Sequence, residues 1–109
     1  GSGVHDFVKC GKWSGEGSSV TEGIGIKRLT ANFKQAQVDG AFKVSDQQMV
    51  DMLFHLAKHD GIFLGTSSAL NAYGAYHMGM QHRNEGKVIV TFLCDSGTRY
   101  ISKLLDQEW

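Results

Sequence analysis

Proline is absent from this sequence of 109 residues. At the usual frequency of about 5 %, some five would be expected. The fourteen glycines must therefore supply most of the turns. Cysteine is scarce as well. Cys10 and Cys94 are too few for a disulfide scaffold and read as free thiols in a reducing compartment. There is no excess of either charge. Eleven basic residues face eleven acidic ones, so no bulk field gathers nucleic acid or an anionic membrane surface. No apolar run approaches the ~18–20 residues of a membrane-spanning helix. Residues Gly1 to Cys10 show neither the basic nor the apolar region of a signal peptide, so none is expected. What remains is an ordinary globular composition, 41 % apolar and 20 % charged. That is too apolar for intrinsic disorder and about one domain long.

Residues 1–37 are loop-rich. Gly11, Gly15, Gly17, Ser18 and Ser19 lead into Thr21-Glu22-Gly23-Ile24-Gly25 without a sustained apolar period. Val4, Phe7 and Val8 fit one short helical turn. A loop this long inside a compact domain either carries a site or lacks its packing partner. From residue 38 onward the pattern is sharper, and 38–109 is expected to form a βαβαβα unit. Ala41–Val44 is a short strand candidate. Ser45 with Gln48 three residues on is a capping box, and Asp46 suits the positive first turn. Met49, Leu53, Leu56 and Ala57 recur on one face of the helix that follows, to about residue 59, and Gly61 suits a left-handed stop. Gly61–Gly65 reads as an apolar strand. Thr66, Ser67 and Ser68 are possible N-caps of a second helix over 67–82, whose small residues suit close packing. Asn84-Glu85-Gly86 is a turn. Val88–Leu93 reads as a strand buried on both faces, and Tyr100–Leu105 as a short helix. The alternation predicts an α/β fold of three αβα layers around a mostly parallel sheet.

In such a fold, ligands bind beyond the carboxyl ends of the strands. Two hydroxyl-rich turns fall there, Gly65-Thr66-Ser67-Ser68 and Cys94-Asp95-Ser96-Gly97-Thr98. They suit an anion or a polar heterocycle, or they only cap their helices. Gly23-Ile24-Gly25 fails as a dinucleotide fingerprint, because Arg28 stands where the third glycine belongs. No Gly-Lys-Ser/Thr follows it either. His55 and His59 are four apart on a helix but have no zincin glutamate and no neighbouring cysteine, so no metal site is expected. No Gly-x-Ser-x-Gly elbow supports a serine triad. Tyr73 and Tyr76 read as packing residues.

Three stretches resemble one known family. They are Glu16-Gly-Ser-Ser-Val-Thr-Glu-Gly-Ile-Gly25, Gly61-Ile-Phe-Leu-Gly-Thr-Ser-Ser-Ala-Leu-Asn71 and Asp95-Ser-Gly-Thr-Arg-Tyr-Ile-Ser102. Their order and spacing are similar to those of the cysteine synthase and cystathionine β-synthase family, the fold-type II enzymes dependent on pyridoxal phosphate. The resemblance implies the C-terminal part of a tryptophan synthase β-like fold, from enzymes about three times this length, at ~100–200 residues per domain. It implies that Ser67 hydrogen-bonds the pyridine nitrogen as a neutral hydroxyl, leaving that nitrogen largely unprotonated and favouring β-elimination and β-replacement. Gly23 and Gly25 match the loop approaching substrate and cofactor, and Ser96 a position near the cofactor ring. Thr66 and Ala69 depart from the family's usual residues.

The Schiff-base lysine of the family lies upstream of the matched part, so no catalytic residue is expected within this segment. The function implied is cysteine biosynthesis: a transferase or lyase joining O-acetylserine and sulfide, with the remainder of the parent chain and a second copy as partners. The compartment implied is cytoplasmic or mitochondrial. Cystathionine β-synthase chemistry, serine/threonine dehydration and a non-catalytic interaction module are the alternatives. Residues 1–35 are expected to pack poorly in this chain alone, which is itself expected to be inactive.

Overall fold

The computed structural model describes residues 28–104, together with His5, Val8, Lys9 and Gly11. His5, Val8 and Lys9 are helical. Gly23, Gly25 and the stretch Gly15–Gly25 lie outside the described residues. The chain divides into two compact units, Gly1–Lys43 and Val44–Trp109.

In the first unit, helix α1 spans Ala31–Gln35. Thr30 caps it, its Oγ1 accepting the Phe33 N–H at 3.2 Å. Five residues are too few to show a 3.6-residue period, and the sequence reading passed over this helix as loop.

The second unit is built on two helices that pack together, α2 (Asp46–His59) and α3 (Thr66–Gln81). The start of α2 is the expected capping box. Ser45 Oγ accepts the Gln48 N–H at 3.2 Å, and the Ser45 N–H donates to Gln48 Oε1 at 2.9 Å. Such a cap is worth about 1 kcal/mol over alanine. Asp46 and the pair Lys58 and His59 sit where the helix dipole favours them. The helix stops at Gly61, whose φ of +69° suits a residue without a Cβ. There the N–H groups of Asp60 and Ile62 both return to the Leu56 carbonyl, at 3.0 and 3.1 Å. Met49 and Leu53, one turn apart, are fully buried and with Leu64, Ala69 and Tyr100 form the core. Each fully buried side chain of this size contributes about 1.5–3 kcal/mol.

After α3 the chain turns through Asn84 (φ +67°) and Gly86 (φ +64°), as the Asn-Glu-Gly sequence predicts. It then runs to a 3₁₀ turn at Gly97–Tyr100, which leads into α4 (Ile101–Leu104).

The expected parallel sheet does not form. Among the described residues there is no strand, and the one pairing is an isolated antiparallel bridge between Leu64 and Ser96. Its bonds are Gly65 N–H to Asp95 O at 2.9 Å and Gly97 N–H to Phe63 O at 3.1 Å. The stretch expected to be buried on both faces is instead exposed, with Val88 at 90 %, Val90 at 81 % and Phe92 at 76 %. A β-branched run encodes a local preference for strand, but a ladder also needs a neighbouring strand edge. Among the described residues none lies beside 88–93. The Phe92 carbonyl takes its hydrogen bond from the Asn71 side-chain amide, at 3.0 Å, and not from a neighbouring strand. The described part of this unit is therefore a helix pair with irregular connections, in place of a three-layer αβα fold.

Candidate functional site

The two hydroxyl-rich turns do meet. The Leu64–Ser96 bridge brings the start of α3 against the Cys94–Thr98 turn, and small residues allow the approach. A Cβ on Gly65 would run into the Asp95 carboxylate and the Tyr100 ring. A Cβ on Gly97 would lie 2.6 Å from the Phe63 ring and 2.7 Å from the Leu64 carbonyl oxygen. Contacts under about 3 Å are not sustained in close-packed interiors, so both positions require glycine.

Asp95 is the centre of this junction, and sequence reasoning assigned it no role. Its backbone is held by Ser68, whose Oγ accepts the Asp95 N–H at 3.1 Å and donates to the Asp95 carbonyl at 3.0 Å. Its carboxylate accepts from three side chains. Ser67 Oγ donates to Oδ1 at 3.4 Å. Tyr100 Oη and Arg99 Nη1 donate to Oδ2, at 3.0 and 3.4 Å. The Arg99 side chain is 67 % exposed, so that ion pair contributes little, about 0–1 kcal/mol. The signal available in the sequence was weak: an acid at the head of Asp-Ser-Gly with a tyrosine five residues on.

Ser67, one of the expected site residues, is 7 % exposed at the first turn of the 16-residue α3. It does not cap the helix. Gly65 is the N-cap, and Thr66, Ser67 and Ser68 all lie inside the first turn. Thr66 is fully buried, and its Oγ1 has no hydrogen-bond partner among the described residues. Ser96, the other expected residue in this unit, is exposed. Its Oγ accepts from the Thr98 N–H and the Thr98 hydroxyl, each at 3.3 Å, and so caps the 3₁₀ turn.

The remaining candidates stand apart. The His55 and His59 rings are 4.6 Å apart, but among the described residues no three metal-ligating side chains cluster. His55 lines an open groove of about 410 Å³ with Met52, Leu56, Ala72 and Tyr76. Tyr76, expected to pack, is 54 % exposed there. Among the described residues no helix is long and apolar enough to cross a membrane.

The donor set at the start of α3 fits one end of a heteroaromatic cofactor. The nearly buried Ser67 hydroxyl beside the Asp95 carboxylate suits a polar ring atom, and the buried Thr66 Oγ1 has no partner among the described residues. Arg99, the cation at this junction, is already turned to Asp95.

No protein-family model matches the chain. Individual proteins do. The chain is 48 % identical over 91 residues to the cysteine synthase of Dictyostelium discoideum, covering 84 % of this chain and 24 % of that protein. It is 37 % identical over 113 aligned positions to cysteine synthase 1 of Neurospora crassa, covering 100 % of this chain and 30 % of that protein. It is 32 % identical over 94 residues to an L-cysteine desulfhydrase of Mycobacterium tuberculosis, covering 84 % of this chain and 26 % of that protein. Two stretches that first suggested the family, Gly61–Asn71 and Asp95–Ser102, are the two that the fold brings together. Spanning about a quarter to a third of the length of these relatives, the chain is a cysteine synthase-like segment.

Proposed function

We propose that this segment is the C-terminal part of a pyridoxal phosphate-dependent enzyme that makes cysteine from O-acetylserine and sulfide. Its likeness to the cysteine synthases supports the reaction. The observation that carries the site is Ser67, a nearly buried hydroxyl at the start of α3, held beside Asp95. Pyridoxal phosphate, when bound, supplies an electron sink for bond changes at the amino acid's α and β carbons. In this segment Ser67 would hold the ring nitrogen. Asp95 and Ser68 keep the first turn of α3 in place, and Gly65 and Gly97 allow the two turns to approach closely. By the family resemblance, Gly23 and Gly25 would belong to the loop that meets substrate and cofactor, and Ser96 would lie near the cofactor ring. The covalent lysine, which would also act as general base, belongs to the remainder of the parent chain. The parent would act as a homodimer on an amino-acid substrate, in the cytoplasm or the mitochondrion.

The test is substitution in the full-length protein that carries this segment. Ser67→Ala should lower cysteine formation by one to two orders of magnitude, the scale of a lost hydrogen bond of about 1–3 kcal/mol. Ser96→Ala should cost less. The reverse order would point to the dehydratase-like alternative. Full activity in Ser67→Ala would remove the serine from the site. The 109-residue chain alone should form no cysteine from O-acetylserine and sulfide, and turnover by it would contradict the assignment of the lysine elsewhere.

The desulfhydrase relative favours a second reading, β-elimination from cysteine. Supplying the full-length protein with cysteine separates the two. Net release of sulfide exceeding its uptake with O-acetylserine would select the elimination.

A further inference from the structure

The histidines of the second unit are of two kinds. The His77 ring accepts from the Gln81 amide at 3.2 Å, and the His82 ring meets the Glu85 carboxylate at 3.0 Å. Among the described residues the His55 and His59 rings make no hydrogen bond and meet only each other, with their centroids 4.6 Å apart. Both residues are exposed, four apart on α2. Side chains at that spacing are neighbours on a helix, with Cβ atoms about 5–6 Å apart. Imidazole is a common ligand of late first-row metals. Two nitrogens each about 2.0–2.1 Å from one metal, at a right angle, stand about 3 Å apart. Rings at this separation reach that spacing by rotating about their side-chain bonds.

The position favours a cation. His59 ends α2, where the helix carbonyls present the negative end of the dipole. Asp51 lies one turn before His55 and Asp60 is the C-cap, against Lys58 alone in that stretch. The open groove that His55 lines leaves room for water at the remaining coordination positions.

We propose that His55 and His59 form a two-imidazole chelate on the surface of α2 for a late first-row divalent cation, copper(II) before nickel(II) or zinc(II). The sequence expectation of no metal site turned on the want of a third protein ligand. A copper(II) ion in tetragonal geometry takes nitrogen and oxygen ligands, so two imidazoles hold it and water fills the other positions. Such a site is open to solvent and exchanges its metal. It shares no residue with the Ser67–Asp95 junction and needs none of the cofactor chemistry proposed above.

The test is a titration of the 109-residue chain with copper(II) sulfate. Its amino terminus is acetylated and it carries Cys10→Ser and Cys94→Ser, so that neither an amine nor a thiol competes for the metal. Binding is read by calorimetry and by the visible absorbance of bound copper. Copper(II) should bind more tightly than nickel(II) or zinc(II), and magnesium(II), a hard cation that prefers oxygen, should not displace it. His55→Asn and His59→Asn should each weaken binding by about tenfold or more, because losing either ring ends the chelation. His77→Asn and His82→Asn, which share no partner with the pair, should leave it within about twofold. In the chain with all its histidines, substoichiometric copper(II) should broaden the ring proton signals of His55 and His59 before those of the other histidines. A weakening of less than about tenfold in either folded variant of the pair overturns the proposal. Broadening that begins at other histidines also overturns it. Should a variant not fold, the order of broadening decides alone.

Discussion

The hydroxyl of Ser68 closes a reciprocal pair of hydrogen bonds on the backbone of Asp95, accepting from its N–H at 3.1 Å and donating to its carbonyl at 3.0 Å. Among the described residues there is no sheet, and this pair does for the two turns what a ladder would otherwise do. It ties the first turn of α3 to a segment 27 residues away and satisfies both polar groups of Asp95.

Ser68→Ala should therefore be among the costlier single changes in the second unit. It leaves the part-buried Asp95 N–H without its partner, at about 1–3 kcal/mol, while the carbonyl keeps the Gly65 N–H at 2.9 Å. Chemical denaturation should show a lowered midpoint with an unchanged slope. A loss below about 0.5 kcal/mol, the range of ordinary surface changes, would contradict the role given to this contact.

Gly65→Ala should destabilise by about 1–3 kcal/mol, the usual cost of forcing atoms into a packed interior. The new methyl group meets the Asp95 carboxylate and the Tyr100 ring. Gly40→Ala, where nothing lies within 4 Å of the added carbon, is the control. It should be neutral or stabilising by about 0.4–1 kcal/mol through the unfolded chain. Thermal melts of the two variants should separate in that order.

Thr66→Val keeps the shape of a fully buried side chain and removes a hydroxyl that has no partner among the described residues. Since leaving such a group unsatisfied costs about 1–3 kcal/mol, the isolated chain should melt higher or at the same temperature. A clear loss of stability would show that the hydroxyl makes a bond the structure does not contain.

Val90→Lys should leave folding stability within about 0.5 kcal/mol, because the side chain is 81 % exposed. It should also reduce self-association. Val88-Ile89-Val90-Thr91-Phe92-Leu93 has high β-propensity and no charge, the pattern that invites edge-to-edge pairing. Light scattering at rising concentration is the measurement. A folded-state loss of several kcal/mol would mean that the segment is buried after all.

The bounds and cap of helix α2 were legible from the sequence, but of its expected apolar face only Met49 and Leu53 are buried, and Phe54 is 41 % exposed. Its cap, its buried pair and its glycine stop all act within six residues, and local spacing reports interactions of that range. Most of α3 followed for the same reason, although the residues that looked like its caps turned out to lie inside its first turn. The short α1 carried too little pattern to be seen. The pairing of Ser67 and Ser68 with Asp95 spans 28 and 27 residues, and no periodicity records a contact at that distance. The likeness of the two turns to one family flagged their residues without saying that Asp95 binds them together. The run Val88–Leu93 shows the opposite limit. Its composition determined a preference for strand and a need for burial, but a strand exists only beside another, and that condition belongs to the tertiary structure alone. Local capping and periodicity thus determined the helices, while the tertiary fold decided which turns meet, which serine faces the carboxylate, and that the apolar run stays exposed.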